Sequence, residues 1–109
     1  MPTSIASGTQ VAVIGTEHTL NTDTSNKNYV LVVDANAMAA GDILELRLKT
    51  IALAAGAERQ AYYATYSGAQ SVDPIKYSIP VPADISCKAT LKQTAGTGRS
   101  FPWKLLSVN

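Results

Sequence analysis

The side chains best able to do chemistry are few, and three of them are carboxylates. Asp34, Asp42 and Glu45 lie around one predicted loop and the start of a strand. Carboxylates grouped in this way could hold a cation or supply an acid and a base. Aspartate is also a common turn residue, and Glu45 fits the solvent-facing side of a strand. We therefore interpret all three as structural residues.

The sequence contains one histidine, His18, and one cysteine, Cys87. A metal site needs several ligands of the right type, and no His or Cys cluster supplies them. A single cysteine cannot form an intramolecular disulfide, and Cys87 is in phase with Ile85 and Leu91, which predicts a small buried core residue. The sequence thus predicts no metal site, no cofactor and no catalytic site, and we expect a protein that is not an enzyme.

A glycine-rich turn, Gly96-Thr97-Gly98, precedes Arg99. It has some likeness to a phosphate-binding loop but lacks the required spacing and the helix that follows such loops. The planar guanidinium of Arg99 suits bidentate contacts with a carboxylate. We predict that Arg99 is a possible interface residue, free to reach a carboxylate on a neighbouring subunit.

Four aromatic residues could form a second kind of contact surface: Tyr62, Tyr63, Tyr66 and Trp103. Aromatic rings can stack on a sugar, but they more commonly fill a core or a subunit interface. Tyr62 and Tyr66 are therefore predicted as possible interface residues, with a carbohydrate platform as the alternative.

Length and composition limit the possible classes of protein. The chain of 109 residues suits one domain, which we predict as a flexible arm over 1–9 and a folded domain over 10–109. A net charge of +1 provides no field able to grip a nucleic-acid backbone. The start of the chain lacks the features of a secretory signal, and no apolar run approaches the roughly 20 residues of a membrane helix. We expect neither nucleic acid nor a membrane as partner, and synthesis in a cytoplasm.

Alternating side chains are the main structural signal. Leu44, Leu46 and Leu48 fall on one face of a predicted strand, and charged residues fall on the other. The alanine- and methionine-rich stretch before Gly41 allows at most one short helical turn. Pro80 predicts an edge strand or a departure from the sheet. The predicted strands cover 10–14, 16–22, 29–33, 43–53, 58–66, 75–81, 85–94 and 100–108.

This pattern predicts an all-β fold: a single small antiparallel β-sandwich or jelly-roll-like barrel of about 7–8 short strands. The last two strands, joined by the glycine turn, are predicted to form a half-buried antiparallel hairpin. Phe101 and Trp103 share one face and are expected in the core. The other residues predicted to be buried are Leu44, Leu46, Leu48 and Leu91.

Three segments together resemble a family of small virion structural proteins of tailed bacteriophages. They are VVDANAMAAGDILELR at 32–47, AYYATY at 61–66 and LKQTAGTGRSFPWK at 91–104, and the likeness extends over most of the chain from Thr16 onward. The family has no catalytic motif to carry over to this chain.

The resemblance implies a capsid decoration or cementing protein, that is, a minor capsid protein located in the virion. Such a protein binds the outer shell and bridges neighbouring subunits of the major capsid protein, often as a homo-oligomer, for which a trimer is favoured. The alternatives are a tail, neck or adaptor component, a carbohydrate-binding host-attachment module and a small hydrolase. The tail alternative predicts ring assembly, the sugar alternative predicts exposed coplanar aromatics, and the hydrolase predicts a pocket with converging polar groups.

Overall fold

A computed structural model describes residues 2–108, and this part of the chain is all-β with no helix. The all-β prediction is confirmed. The strands are β1 (Thr3–Val11), β2 (Glu17–Asp23), β3 (Lys27–Asp34), β4 (Ile43–Thr50), β5 (Arg59–Ser67), β6 (Ile75–Tyr77), β7 (Val81–Ala83), β8 (Cys87–Ala95) and β9 (Ser100–Ser107).

The strands form two antiparallel sheets that pack as a small sandwich. The five-stranded sheet has the order β1-β9-β3-β6, and β7 pairs with the same strand, β3, as β6 does. The four-stranded sheet has the order β2-β8-β4-β5. Their facing sides enclose one hydrophobic core, whose largest fully buried members are Tyr29, Phe101, Leu31, Leu44, Leu46, Leu48, Leu91 and Leu105.

β4 shows how the sequence pattern produces this packing. Leu44, Leu46 and Leu48 are at most 2% exposed, while the charged residues between them lie on the outer face. Burying one such leucine stabilises the fold by about 1.5–3 kcal/mol. β5 returns beside β4 with Leu46 opposite Ala64, so the strands predicted at 43–53 and 58–66 pair as an antiparallel hairpin.

The N-terminal segment differs from its prediction. Residues 3–9, expected as a flexible arm, belong to β1, which pairs with β9 from Thr3 opposite Ser107 to Val11 opposite Ser100. Without β1, the N–H and C=O groups along that side of β9 would have no strand partner. Small polar residues alternate here with β-branched ones, a composition that a strand accepts as readily as an arm does. Met1 lies outside the described residues.

The predicted C-terminal hairpin is wrong, because β8 and β9 belong to different sheets. The buried amide of Gln93 bends the chain between them: its Nε2 donates to the carbonyls of Ala95 and Thr97, and its Oε1 accepts from the Arg99 N–H. The glycine turn is therefore a corner between sheets. Alternation places a side chain on one of two faces, but it does not specify the sheet to which the strand belongs.

Two segments singled out in the sequence lie between strands: one forms turns, and the other interrupts the edge of a sheet. Residues 35–42 form two consecutive turns, closed by the N–H of Met38 on the Ala35 carbonyl and by the N–H of Asp42 on the Ala39 carbonyl. Between β6 and β7 the chain leaves the sheet at residues 78–80, as Pro80 predicts, and both short strands flank β3.

Candidate interaction surface

The three carboxylates singled out in the sequence have separate roles. Asp34 Oδ1 accepts the Asn36 N–H at 3.0 Å, which is the turn contact expected of an aspartate. Glu45 lies on the outer face of β4, where its Oε1 pairs with Arg47 Nη2 at 2.8 Å. Within residues 2–108, no group of three or more His, Cys, Asp or Glu side chains is placed to hold a metal ion.

Among the carboxylates of residues 2–108, Asp42 is the one that is fully buried, with 1% of its surface exposed. Its oxygens accept the Ala39 N–H at 2.9 Å, the Thr97 N–H at 3.1 Å and Arg99 Nε at 2.7 Å. Burial alone would raise the pKa of Asp42, but these three donors outweigh it and hold the pKa below its ordinary value. Asp42 thus fastens the turn region before β4 to the corner between β8 and β9.

The structure pairs Arg99 within its own chain. Its Nε donates to the buried Asp42, and the side chain remains 30% exposed. This contact with a carboxylate stabilises the fold. The role of Arg99 as an interface residue stays a prediction.

The three tyrosines of β5 point to two faces. Tyr62 and Tyr66 lie opposite Leu48 and Leu44 on the inner face and are half-buried against the core. Burial, with the nearby Tyr66 phenol, raises the pKa of Tyr62 to about 12. Tyr63 lies on the outer face, where the Arg47 guanidinium is 4.8 Å from its ring centre. The proposal that Tyr62 and Tyr66 form an interface stays a prediction.

Trp103 belongs to the other sheet. It lies on the inner face of β9, half-buried against the core, with its ring beside Gly8 of β1. The four aromatic residues are therefore distributed over two sheets and over opposite faces of one of them, and they do not form a common flat surface.

His18 and Cys87 have structural surroundings. His18 Nε2 accepts the Val13 N–H at 3.1 Å, which closes the connection between β1 and β2. Cys87 is fully buried, as predicted, and burial raises the pKa of its thiol to about 11. A thiol with so high a pKa forms little thiolate at neutral pH and is a poor nucleophile.

The outer side of the four-stranded sheet is charged, and six charged residues on or beside it form three ion pairs within the chain. We call this side the charged face. Its ion pairs are Arg47–Glu45 at 2.8 Å, Lys49–Glu17 at 2.7 Å and Lys88–Glu58 at 3.0 Å. The contact with Lys49 is the main cause that lowers the pKa of Glu17. Most of the charge on this face is thus paired within the chain, although Lys92 of β8 lies on the same side without an ion pair to any described residue.

The outer side of the five-stranded sheet is different, and we call it the apolar face. It is formed by Val32, Ile75, Tyr77, Pro102 and Leu106, with the charged side chains of Asp34 and Lys104 beside them. Ile75 is 47% exposed and Tyr77 63% exposed. A groove of about 170 Å³ crosses this face, lined by Val32, Asp34, Ile75, Pro102, Trp103 and Lys104.

Sequence reasoning missed the apolar face. Ile75, Tyr77 and Ile79 alternate with polar residues, but the alternation does not reveal which set faces the core. In the structure Lys76 lies across from the buried Val33, and Ser78 Oγ accepts the Leu31 N–H, so the polar set turns inward. The apolar set of an alternating strand usually faces the core. Pro80 and Pro82 mark this segment as an edge, and edge strands can turn polar side chains inward instead. The two prolines were therefore the signal available in the sequence.

A broader groove of about 580 Å³ lies at another place on the molecule. It is lined by Asn26, Lys27, Asn28, Pro82, Ala83, Asp84 and Val108. Among the residues that the structure describes, Asn28 Oδ1 has no hydrogen-bond partner in its buried position. Lys27 and Asp84 are the charged side chains of this lining.

No protein-family model matches this sequence, and neither a curated protein nor a solved structure matches the chain. Over residues 2–108 there is also no helix long and apolar enough to cross a membrane.

Proposed function

We propose that this chain is a non-enzymatic structural protein of a tailed-bacteriophage virion, which decorates the outer capsid shell and bridges neighbouring subunits of the major capsid protein. The observation that carries the proposal is the apolar face of the five-stranded sheet. Exposed apolar side chains grouped on one face of a sheet are typical of a site of contact with another protein. The resemblance to small virion proteins supplies the identity of that partner.

The contrast between the two outer faces supports one direction of docking. The charged face pairs Glu45 with Arg47 and Glu17 with Lys49, so covering it would require removal of water from charges that are already satisfied. The apolar face exposes Ile75 and Tyr77, whose burial against a shell would be favourable. A decoration protein of this design would place its five-stranded sheet on the capsid and its charged face toward solvent.

Cementing requires no chemistry from the protein. A ligand that binds only the assembled shell stabilises the shell by mass action. A rigid sandwich that spans two capsid subunits adds buried area between them, and this resists the outward force of packed DNA. The proposed location is therefore the virion, after synthesis in the host cytoplasm.

The test is binding of the purified chain to capsid shells that lack it, measured by co-sedimentation. We expect the wild-type chain to bind and to raise the temperature at which particles release DNA. Tyr77→Lys should weaken binding at least about tenfold, because it replaces a large exposed apolar side chain of this face by a charge. If Tyr77→Lys loses binding while the melting temperature of the chain itself is unchanged, the contact with the shell lies on the apolar face.

The matched control is Leu53→Lys, which makes the same kind of change at a side chain that is 77% exposed in the loop between β4 and β5. It should bind shells like the wild type. If the chain does not bind shells, or if it binds without raising the DNA-release temperature, the cementing proposal fails and a tail, neck or attachment role takes its place.

A further inference from the structure

A sandwich of two open sheets has four edges, and three of them carry devices that discourage pairing with another strand. β2 contains Glu17 and Asp23 and has a register shift between Thr19 and Asn21. The β6–β7 edge is interrupted by Pro80 and contains Pro82. β5 begins at the charged Arg59 and has a register shift against β4 between Leu48 and Lys49, and Lys76 of β6 lies with its Nζ 4.9 Å from the Tyr66 ring centre.

β1 is the exception. Its nine residues, Thr3–Val11, include no charged side chain and no proline, and its one register shift lies near its start, between Ser4 and Ala6. From Ala6 to Val11 it is a regular strand that pairs on one side with β9. On its other side, no strand within residues 2–108 pairs with it.

The backbone groups available at this edge can be identified. The Ala12 N–H donates to the Arg99 carbonyl, in continuation of the β1–β9 register. In an antiparallel ladder, alternate residues point their N–H and C=O groups to opposite sides. Ser7, Thr9 and Val11 therefore direct their backbone groups away from β9 and toward the free edge.

The side of the sandwich bordered by β1 and β2 is also incompletely closed. Ile5 of β1, Leu20 of β2 and Trp103 of β9 pack against the core but are only partly buried. Lys76 covers the corresponding opening at the β5 side, whereas no charged side chain of β1 covers this one. An additional strand at the β1 edge would bury apolar surface and also pair the free backbone groups.

We propose that the β1 edge binds the β1 edge of a second copy of this chain, in antiparallel orientation about a two-fold axis. Only an extended strand can satisfy a row of backbone donors and acceptors, and a second copy supplies one of equal length and the same uncharged composition. Two identical antiparallel strands form an isologous contact, which closes as a dimer. The contact joins the two five-stranded sheets into one and places two apolar faces side by side.

This dimer differs from the trimer that the family resemblance favours, and it can be tested without a capsid. Sedimentation equilibrium of the wild-type chain should give twice the chain mass of 11.5 kDa. Thr9→Pro should give a monomer that still unfolds cooperatively, because it removes an N–H that points away from β9 and no bond within the chain. The matched control, Thr65→Lys on the β5 edge opposite Glu45, should remain dimeric.

A charge-swap experiment tests the two-fold geometry. Ser7 is the middle residue of the nine in β1, so full overlap of two antiparallel copies of β1 places the two copies of residue 7 opposite each other. Ser7→Glu and Ser7→Lys should therefore each be monomeric, because like charges repel. Mixing the two variants should restore a dimer that contains one of each. A monomeric or trimeric wild type, dissociation by Thr65→Lys, or a dimer that survives Thr9→Pro would each overturn the proposal.

Discussion

The guanidinium of Arg99 and the buried carboxylate of Asp42 meet at 2.7 Å, between residues 57 positions apart in the chain. Asp42 immediately precedes β4 in the four-stranded sheet, and Arg99 immediately precedes β9 in the five-stranded sheet. The pair therefore joins the two sheets at the point where the chain crosses from one to the other. We expect substitutions at this corner to destabilise the fold most.

Removal of the Asp42 carboxylate should destabilise the fold strongly. Asp42→Asn should lower the free energy of unfolding at pH 7 by about 3 kcal/mol, because a buried acceptor of three bonds loses its charge. The pKa of Asp42 is held below its ordinary value of about 4, so its contribution is complete above pH 4 and disappears as the pH falls through the folded-state pKa. The cost measured by urea unfolding should consequently shrink toward pH 2.

The control is Asp73→Asn, at an exposed position, which should change stability little at either pH. An equal cost for Asp42→Asn at neutral and acid pH would contradict the assigned role of the charge.

Gly96 is required by the packing of the same corner. Its φ is +90°, and a Cβ built there would lie 1.9 Å from Asp42 Oδ1 and 2.8 Å from Asp42 Cα. Gly96→Ala should therefore cost about 3–5 kcal/mol of stability, from backbone strain and collision together. Gly15→Ala is the matched control, since Gly15 has a φ of +82° with nothing within 4 Å, and it should cost only about 1 kcal/mol. Thermal unfolding of both variants checks this, and equal costs would contradict the collision.

Phe101 and Trp103 should differ in their contribution to stability, although they share a face of β9. Phe101 is fully buried, whereas Trp103 is half-buried beside Gly8. Phe101→Ala should cost about 3–5 kcal/mol and Trp103→Ala about 2 kcal/mol. Urea unfolding measures both, and a larger cost for Trp103→Ala would show that the indole is the main core residue.

Two phenols should ionise late in an alkaline titration. Burial raises the pKa of Tyr29 to about 12, helped by its hydrogen bond to Asp23, and burial raises that of Tyr62 to about 12. The neutral phenols thus contribute stability that is complete below about pH 10 and is lost as the pH rises through 12. Tyr29→Phe should reduce the late phase of phenolate absorbance, and a late phase of unchanged amplitude would contradict the assignment.

Local patterns in the sequence predicted much of the fold. The alternation of Leu44, Leu46 and Leu48 correctly predicted a strand with one buried face, and Pro80 correctly predicted a break at an edge. The partners of strands were harder to predict, because pairing depends on contacts between distant segments. Gln93 determines the corner before β9 through the hydrogen bonds of its buried amide. The period-2 alternation predicts only which face of the strand Gln93 lies on, and it does not predict these bonds.

The candidate site was less predictable than the fold. Arg99 was expected to reach a carboxylate on a neighbouring subunit, which stays a prediction, and only the structure identified Asp42 of the same chain as a partner of its Nε. The exposure of Ile75 and Tyr77 could not be read from the alternation, because the inward turn of Lys76 depends on its position over Tyr66. The free edge of β1 follows from strand order, which is a property of the whole fold.

Copy number in purified virions tests the proposed function most directly. Quantitative mass spectrometry, with the major capsid protein as internal reference, should find on the order of hundreds of copies of this chain per particle, as a shell of many symmetry-related subunits requires. About six or twelve copies would instead indicate a ring in the tail or neck. That result, or the absence of the chain from purified particles, would contradict the proposal that it decorates the capsid.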